Sequence, residues 1–352
     1  MTDSIYIGLR TVEWKDNSTV MIDQTKLPNE LVYVKYTNYL DVANAIRNLV
    51  VRGAPAIGVS GAFGLALAAL QSTATIKEQL ISDLEKAKKI LSETRPTAVN
   101  LMWGLEQIMI VAKKSIGSVT EIKESIIQTA KQMAEDDIKI NMKMGKNGSV
   151  LFDNNDTIMT HCNAGSLATV AYGTALGVIR ATKDSGKSIK VIATETRPVQ
   201  QGSRLTAFEL HHDGIDVSLI PDTAVGYTMA NKLITKVIVG ADRILRTGHV
   251  YNKIGTYQVA LMAKQHGIPF YVAAPLSTFD MKSNPQDVII EQRKGTEVTQ
   301  IGDKKTAPDG IKVINPAFDI TPPELISGII TEAGVAKPPF EESIKKLFQA
   351  KK

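Results

Sequence analysis

From about residue 146 onward, short unbroken apolar runs alternate with helical segments, and no other feature narrows the fold as much. The runs are Thr157–Thr160, 189–193, 217–220, 237–239 and 270–272. Helical patterning between them fits 165–182, 203–211, 224–231 and 256–266. A strand buried on one face alternates apolar and polar residues, whereas a strand buried on both faces reads as a continuous apolar run. Continuous runs separated by helices therefore predict a parallel sheet covered on both sides, a Rossmann-like domain.

The preceding residues read differently. Residues 1–35 suggest short strands, first through Tyr6, Ile7, Val12 and Trp14, then through Val20, Met21 and Ile22. Helical periodicity follows over 39–49. Arg52-Gly53-Ala54-Pro55 then interrupts. Proline suits the first turn of a helix because its missing N–H has no partner there, so this reads as a loop opening a helix at about Pro55. Further helices fit 76–94, 101–115 and 119–144, with an Arg95-Pro96 loop between the first two. Gly145-Lys146-Asn147-Gly148 reads as the break. The expected α/β organisation is a small, mostly helical N-terminal domain with a short antiparallel sheet over 1–145, then a Rossmann-like parallel-sheet domain over 146–352. The tail from Pro338 reads as a surface helix.

Length supports two domains, since 352 residues exceed one ordinary core. A net charge of +5 on scattered lysines suits a solvated surface better than a nucleic-acid stripe. The single cysteine cannot form an internal disulfide, which fits a reducing, cytoplasmic setting. The first residues lack a basic stretch leading into an apolar one, so no signal peptide is expected. The longest apolar run, about 58–70, is too short and glycine-rich to suggest a membrane span. Gly58, Gly61 and Gly64 fall inside a helix and read as packing positions. No GxGxxG follows a strand, which discounts NAD and ATP. The five histidines form no HxxxH or HxH pair, so no metal site is expected.

Each strand of the second half ends in polar residues: His161-Cys162-Asn163, Glu195-Thr196-Arg197 with Gln200-Gln201-Gly202 beyond, Pro221-Asp222, and Gly240-Ala241-Asp242-Arg243. Carboxyl ends of parallel strands are where open α/β sheets bind ligands. Cys162 reads either as a small buried hydrophobe or as a thiolate favoured by a helix starting at about Gly165. Asp242 reads as a partner of Arg243, as a helix cap, or as a general acid/base. Asn252-Lys253 precede a helix near Gly255, where a lysine beside free backbone N–H groups suits phosphate; the alternative is a surface loop. Arg52 and Arg95 sit in loops beside prolines. Such loops hold a guanidinium still for phosphate oxygens, although either arginine alone also suits a surface ion pair.

Several long segments resemble a known family. They include LRTVEW, DQTKLP, VRGAPAIG, RPTAVNLMWGL, THCNAGSLATVAYGTALGVIR, ETRPVQQGSRLTAFEL, VGADRI and NPAFDITPPELISGIITEAGV, spread from Leu9 to Val335. Together they resemble the methylthioribose-1-phosphate isomerases, in the family that also contains the regulatory subunits of the eukaryotic initiation-factor-2 nucleotide exchanger. The resemblance implies aldose–ketose isomerisation of 5-methylthioribose 1-phosphate in methionine salvage, with no cofactor or metal, usually by a homodimer. It implies Cys162 and Asp242 as catalytic residues. It implies substrate contacts at Arg52, Gly53, Ala54, Arg95, Gln201, Asn252 and Lys253. Ser166 and Thr194 depart from the alanine and aspartate expected in many relatives, which bears on substrate tuning. Two other readings remain beside this one: a sister isomerase of ribose 1,5-bisphosphate or 5-deoxyribose 1-phosphate, and a non-catalytic regulatory subunit of the same fold.

Overall fold

The computed structural model describes residues 8–96 and 98–350; the strand suggested at Tyr6 and Ile7 lies outside them. The chain forms two compact units, Met1–Lys143 with Ala164–Gly177, and Met144–Asn163 with Val178–Lys352. The segment just after Cys162, Ala164–Gly177, groups with the first unit.

In the first unit, β1 (Val12–Lys15), β2 (Ser18–Ile22) and β3 (Tyr33–Tyr36) form an antiparallel meander. Helices α1 (Tyr39–Arg47), α2 (Ala54–Gln71), α3 (Lys77–Ser92), α4 (Val99–Lys114) and α5 (Val119–Ser149) follow. Asn38 caps α1 by accepting the Leu40 N–H at 2.8 Å, which satisfies one of the donors a helix start leaves open. Helix α2 is apolar all round, and 89% of it is buried. That is the pattern of a core helix. Its glycines let neighbouring helices approach: a Cβ on Gly58 would lie 2.8 Å from the Asn100 carbonyl oxygen of α4, one on Gly61 2.6 Å from Leu101 Cδ1, and one on Gly64 3.0 Å from Leu91 Cδ1 of α3. The sequence reading of these glycines as packing positions holds.

Helix α5 runs through the expected break at 145–148. Gly148 is there for close approach, because a Cβ would lie 2.7 Å from Val178. Asn147 reaches out of the helix to the Thr331 carbonyl at 2.9 Å. Neither residue ends the helix.

The second unit continues with β4 (Thr157–Thr160), α6 (Ala175–Asp184), β5 (Lys190–Thr194), α7 (Ala207–His212), β6 (Asp216–Ile220), α8 (Val225–Ala230) and β7 (Lys236–Val239). Next come β8 (Arg243–Leu245), β9 (Val250–Lys253), α9 (Thr256–Gln265), β10 (Phe270–Ala273), β11 (Phe279–Asp280), α10 (Thr296–Thr299), β12 (Gln300–Ile301) and β13 (Lys304–Lys305). The last elements are β14 (Phe318–Thr321), β15 (Gly328–Thr331), β16 (Gly334–Ala336) and α11 (Phe340–Ala350). The large sheet has the order β16-β15-β10-β7-β4-β5-β6 and is parallel except for β16. The five predicted strands are all in it. The chain builds outward from β4 through β5 to β6, then restarts at β7 on the other side. The gap between β4 and β7 is therefore a topological switch point, the place where such sheets bind ligands. A second sheet, β11-β8-β9-β14, was not legible from the alternation of runs.

The helix expected over 165–182 begins only at Ala175. Before it, Ser166–Ala168 make one tight turn, and Tyr172 and Gly173 take φ values of 72° and 87°. Partners from the first unit hold this backbone instead. Asp137 accepts the Val170 N–H at 2.8 Å, Gln24 donates to the Leu167 carbonyl at 2.7 Å, and Thr11 donates to the Ser166 carbonyl at 2.7 Å. Buried backbone groups must be paired, and here side chains supply what a helix would have.

Candidate active site

Cys162 and Asp242 follow β4 and β7, the two strands that flank the switch point, and Met159 pairs with Val237 between them. The two groups thus stand at the carboxyl ends of adjacent strands in the middle of the sheet. Cys162 is partly exposed, so the wholly buried reading does not apply. The helix-dipole argument for a thiolate loses its basis, because only a three-residue 3-10 turn follows Gly165 and the α-helix starts at Ala175.

The backbone at this edge is unusual. Cys162, Thr196 and Gln200 all have positive φ, at 65°, 64° and 60°. Non-glycine residues in that region cost energy and cluster where structure is over-determined, commonly at functional sites. Here the over-determination is visible. The Cys162 N–H donates to Thr196 Oγ1 at 2.9 Å, and its carbonyl accepts from Thr206 Oγ1 at 2.6 Å. Asn163 Nδ2 donates to Glu209 at 2.8 Å. Glu209 is fully buried and pairs with Arg180 at 2.8 Å, and Arg180 also binds Asp213. Asp222 accepts the N–H groups of Thr196 and Arg197 at 2.8 and 2.6 Å. The polar end of β6 is therefore a brace for the turn that follows the adjacent strand β5. None of these supports is marked by a spacing in the sequence.

Gln201 precedes a wide helical turn over Gly202–Thr206 that runs into α7; such widened turns are frequent at functional sites. Its side chain is buried, and Oε1 has no hydrogen-bond partner among the described residues. Buried polar atoms are nearly always paired, so an orphan acceptor is a pointer to a bound donor.

Asp242 sits at the start of the β8–β9 hairpin. Its N–H donates to the Tyr251 carbonyl at 2.9 Å, while Arg243 faces the same Tyr251 in the register. Two residues opposing one is a β-bulge, which re-aims a side chain. Arg243 pairs with Asp280 at 3.3 Å. Asn252 and Lys253 end strand β9 and are both buried, so they are not a surface loop. The N–H groups nearby are not free for a ligand either. Asp319 accepts from Gly255 at 2.7 Å and from Tyr257 at 3.1 Å, capping α9. Burial raises the Asp319 pKa to about 6, against those N–H bonds and the Lys253 charge. The Lys253 ammonium lies 5.3 Å from the Phe318 ring centre.

In the first unit, Gly53 caps α2 with φ 94°, and Ala54 is its first residue. A Cβ on Gly53 would lie 2.4 Å from Ala168 Cα, so the RGAP loop packs directly on the turn that follows Cys162 in sequence. Arg52 and Arg95 are both half-buried.

Residues 50–338 match the Initiation factor 2 subunit family. Over 340 residues the chain is 52% identical to the methylthioribose-1-phosphate isomerase of Thermosipho africanus, covering 96% of this chain and 98% of that protein. Among solved structures, 5-methylthioribose 1-phosphate isomerase from Pyrococcus horikoshii matches with a TM-score of 0.89 at 47% identity, covering 97% of this chain and 96% of that one. A structure described as translation initiation factor eIF-2B subunit delta from A. fulgidus matches with a TM-score of 0.87 at 49% identity, covering 97% and 99%.

Proposed function

The chain belongs to the initiation factor 2 subunit family, and from that premise we infer that it is an aldose–ketose isomerase of methionine salvage. It converts 5-methylthioribose 1-phosphate to 5-methylthioribulose 1-phosphate. The observation that carries this reading is the near-full-length likeness to methylthioribose-1-phosphate isomerases, at 52% identity over 96% of the chain. The position of Cys162 and Asp242 on either side of the sheet's switch point supports it.

The substrate's chemistry gives each residue a task. Its anomeric carbon is esterified to phosphate, so the ring cannot open to a free aldehyde unaided. Asp242 is assigned to protonate the ring oxygen and later to shuttle a proton. Cys162 is assigned to C1–C2, as the base that removes the C2 proton or as the support for a hydride shift. Gln201, Asn252 and Lys253 are assigned to the sugar phosphate, the orphan Oε1 of Gln201 accepting from a substrate hydroxyl. Arg52, Gly53, Ala54 and Arg95 are assigned to substrate binding on the family resemblance. The same resemblance supports a cytoplasmic homodimer.

The test is an NMR assay of purified protein in D2O, with 5-methylthioribose 1-phosphate in one tube and ribose 1,5-bisphosphate in another. The methylthio ketose phosphate alone is the expected product. Deuterium at its C1 would assign proton transfer through a base that exchanges with solvent. Turnover of the bisphosphate alone would move the chain to a sister activity. No turnover of either by folded protein would sink the isomerase reading.

A further inference from the structure

His161 has no part in the chemistry above, yet it is 2% exposed and makes hydrogen bonds on both sides of its ring. Nε2 lies 2.9 Å from the Ile254 carbonyl oxygen, and Nδ1 lies 2.7 Å from Thr194 Oγ1. A carbonyl only accepts, so Nε2 carries a proton. Burial, the largest influence, holds the imidazole below its ordinary pKa, and the Lys253 charge adds to it against the Ile254 bond and Asp222. The ring is therefore neutral at pH 7. Nδ1 is then an acceptor, and the Thr194 hydroxyl donates to it. Thr194 Oγ1 is 3.2 Å from Thr196 Oγ1, which has the Thr194 carbonyl at 3.3 Å as a second acceptor. Thr196 Oγ1 in turn accepts the Cys162 N–H. When the Thr196 hydroxyl donates to Thr194 Oγ1 and not to the Thr194 carbonyl, the donors point one way, from the Cys162 backbone through two threonines and the imidazole to the carbonyl that follows Lys253. Aligned bonds of this kind strengthen one another. Gly255, at φ 100°, completes the approach: a Cβ there would lie 3.0 Å from His161 Cε1.

We propose that His161 is a positioning residue that holds two parts of the site in register, the Cys162 corner through Thr194 and Thr196, and the Asn252-Lys253 strand end through Ile254. This rests on the assignment of Cys162 and Lys253 made above. The two bonds can be separated. In His161→Asn the side-chain oxygen replaces Nδ1 and keeps the Thr194 bond, while the donor to Ile254 is lost. In His161→Gln the side-chain amide replaces Nε2 and keeps the Ile254 bond, while the acceptor for Thr194 is lost. Thr194→Val breaks the second link from the other side with little change of shape.

The experiment is steady-state kinetics with 5-methylthioribose 1-phosphate on these three variants and on Cys162→Ala, with a thermal melt of each. Leaving one buried partner unpaired should change a kinetic constant about tenfold. H161N is expected to raise KM more than it lowers kcat. H161Q and T194V are expected to lower kcat more than they raise KM, and to be non-additive when combined. Equal proportional losses in all three, or no change in any, while C162A is inactive, would overturn the inference and leave the catalytic assignment standing. Normal turnover by C162A would overturn both. If H161N or H161Q melts below the assay temperature, the kcat–KM split in T194V decides.

Discussion

At the scale of single residues, the chemistry proposed above is assigned to two groups, and a buried carboxyl elsewhere bears on stability. Cys162→Ala and Asp242→Asn are each expected to lower kcat at least about 100-fold, the low end for loss of a general acid or base. A coupled assay of folded protein checks this, and near-normal turnover in either removes that residue from the mechanism. Asp137 is a residue to which sequence reading, placing it mid-way along a helix, gave no role. It lies mid-way along α5, and burial raises its pKa to about 7, against the bonds it accepts from Val170 and Asn141. A carboxyl whose native pKa exceeds its unfolded value of 3.8 binds more protons when folded. Its stability contribution is full below about pH 4 and is lost as pH rises toward 7. Asp137→Asn should accept the Val170 N–H without that loss. The expected outcome is a melting temperature that falls less from pH 4 to pH 7 in D137N than in the parent. Parallel slopes would show that Asp137 does not titrate in this range.

At the scale of elements, the corner after β4 depends on a buried cluster some distance along the chain. Arg180 on α6, Glu209 on α7 and Asp213 are each no more than 3% exposed at the side chain. Removing one partner of a buried pair strands the other's charge. Glu209→Ala is therefore expected to destabilise the chain by about 3 kcal/mol, read as a lower urea midpoint, and to lower turnover through the loosened Asn163. A stability within experimental error of the parent would show that Asp213 alone holds Arg180. This cluster also shows where sequence reading stops. Five of the seven strands of the large sheet were legible: the central β4, β7 and β10 are apolar runs because they are buried on both faces, whereas the edge strand β6 is largely exposed and β15 and β16 were not read. The partners of the residues at the strand ends come from elements whose contact is set by tertiary packing, which no local spacing encodes. The absent helix at 165–174 is the same lesson. Its small residues fit a helix well, but Asp137, Gln24 and Thr11 offer its backbone better partners than its own turns do.

At the scale of the whole molecule, the assembly proposed above is two copies of the chain. Sedimentation equilibrium is expected to return twice the single-chain mass at micromolar concentration, and a single-chain mass would reject the dimer. Within one copy, the two units were read from sequence by their different periodicities. What periodicity missed is that the first unit is not one continuous stretch. Its apolar core includes Val170 and Ala171 beside α2 and α4 residues, and those two are made well after α5. A ribosome that has finished residue 145 has therefore produced a first unit still lacking part of its interior. Its completion waits until about thirty further residues have emerged, including the corner that carries Cys162. A fragment of 1–145 should accordingly be less protected from protease than the same residues in the full chain, and adding residues to 177 should restore part of that protection. The Cys162 corner is thus followed in sequence by the piece that closes the first unit's core, so the order of synthesis ties the appearance of that thiol to the completion of the first unit.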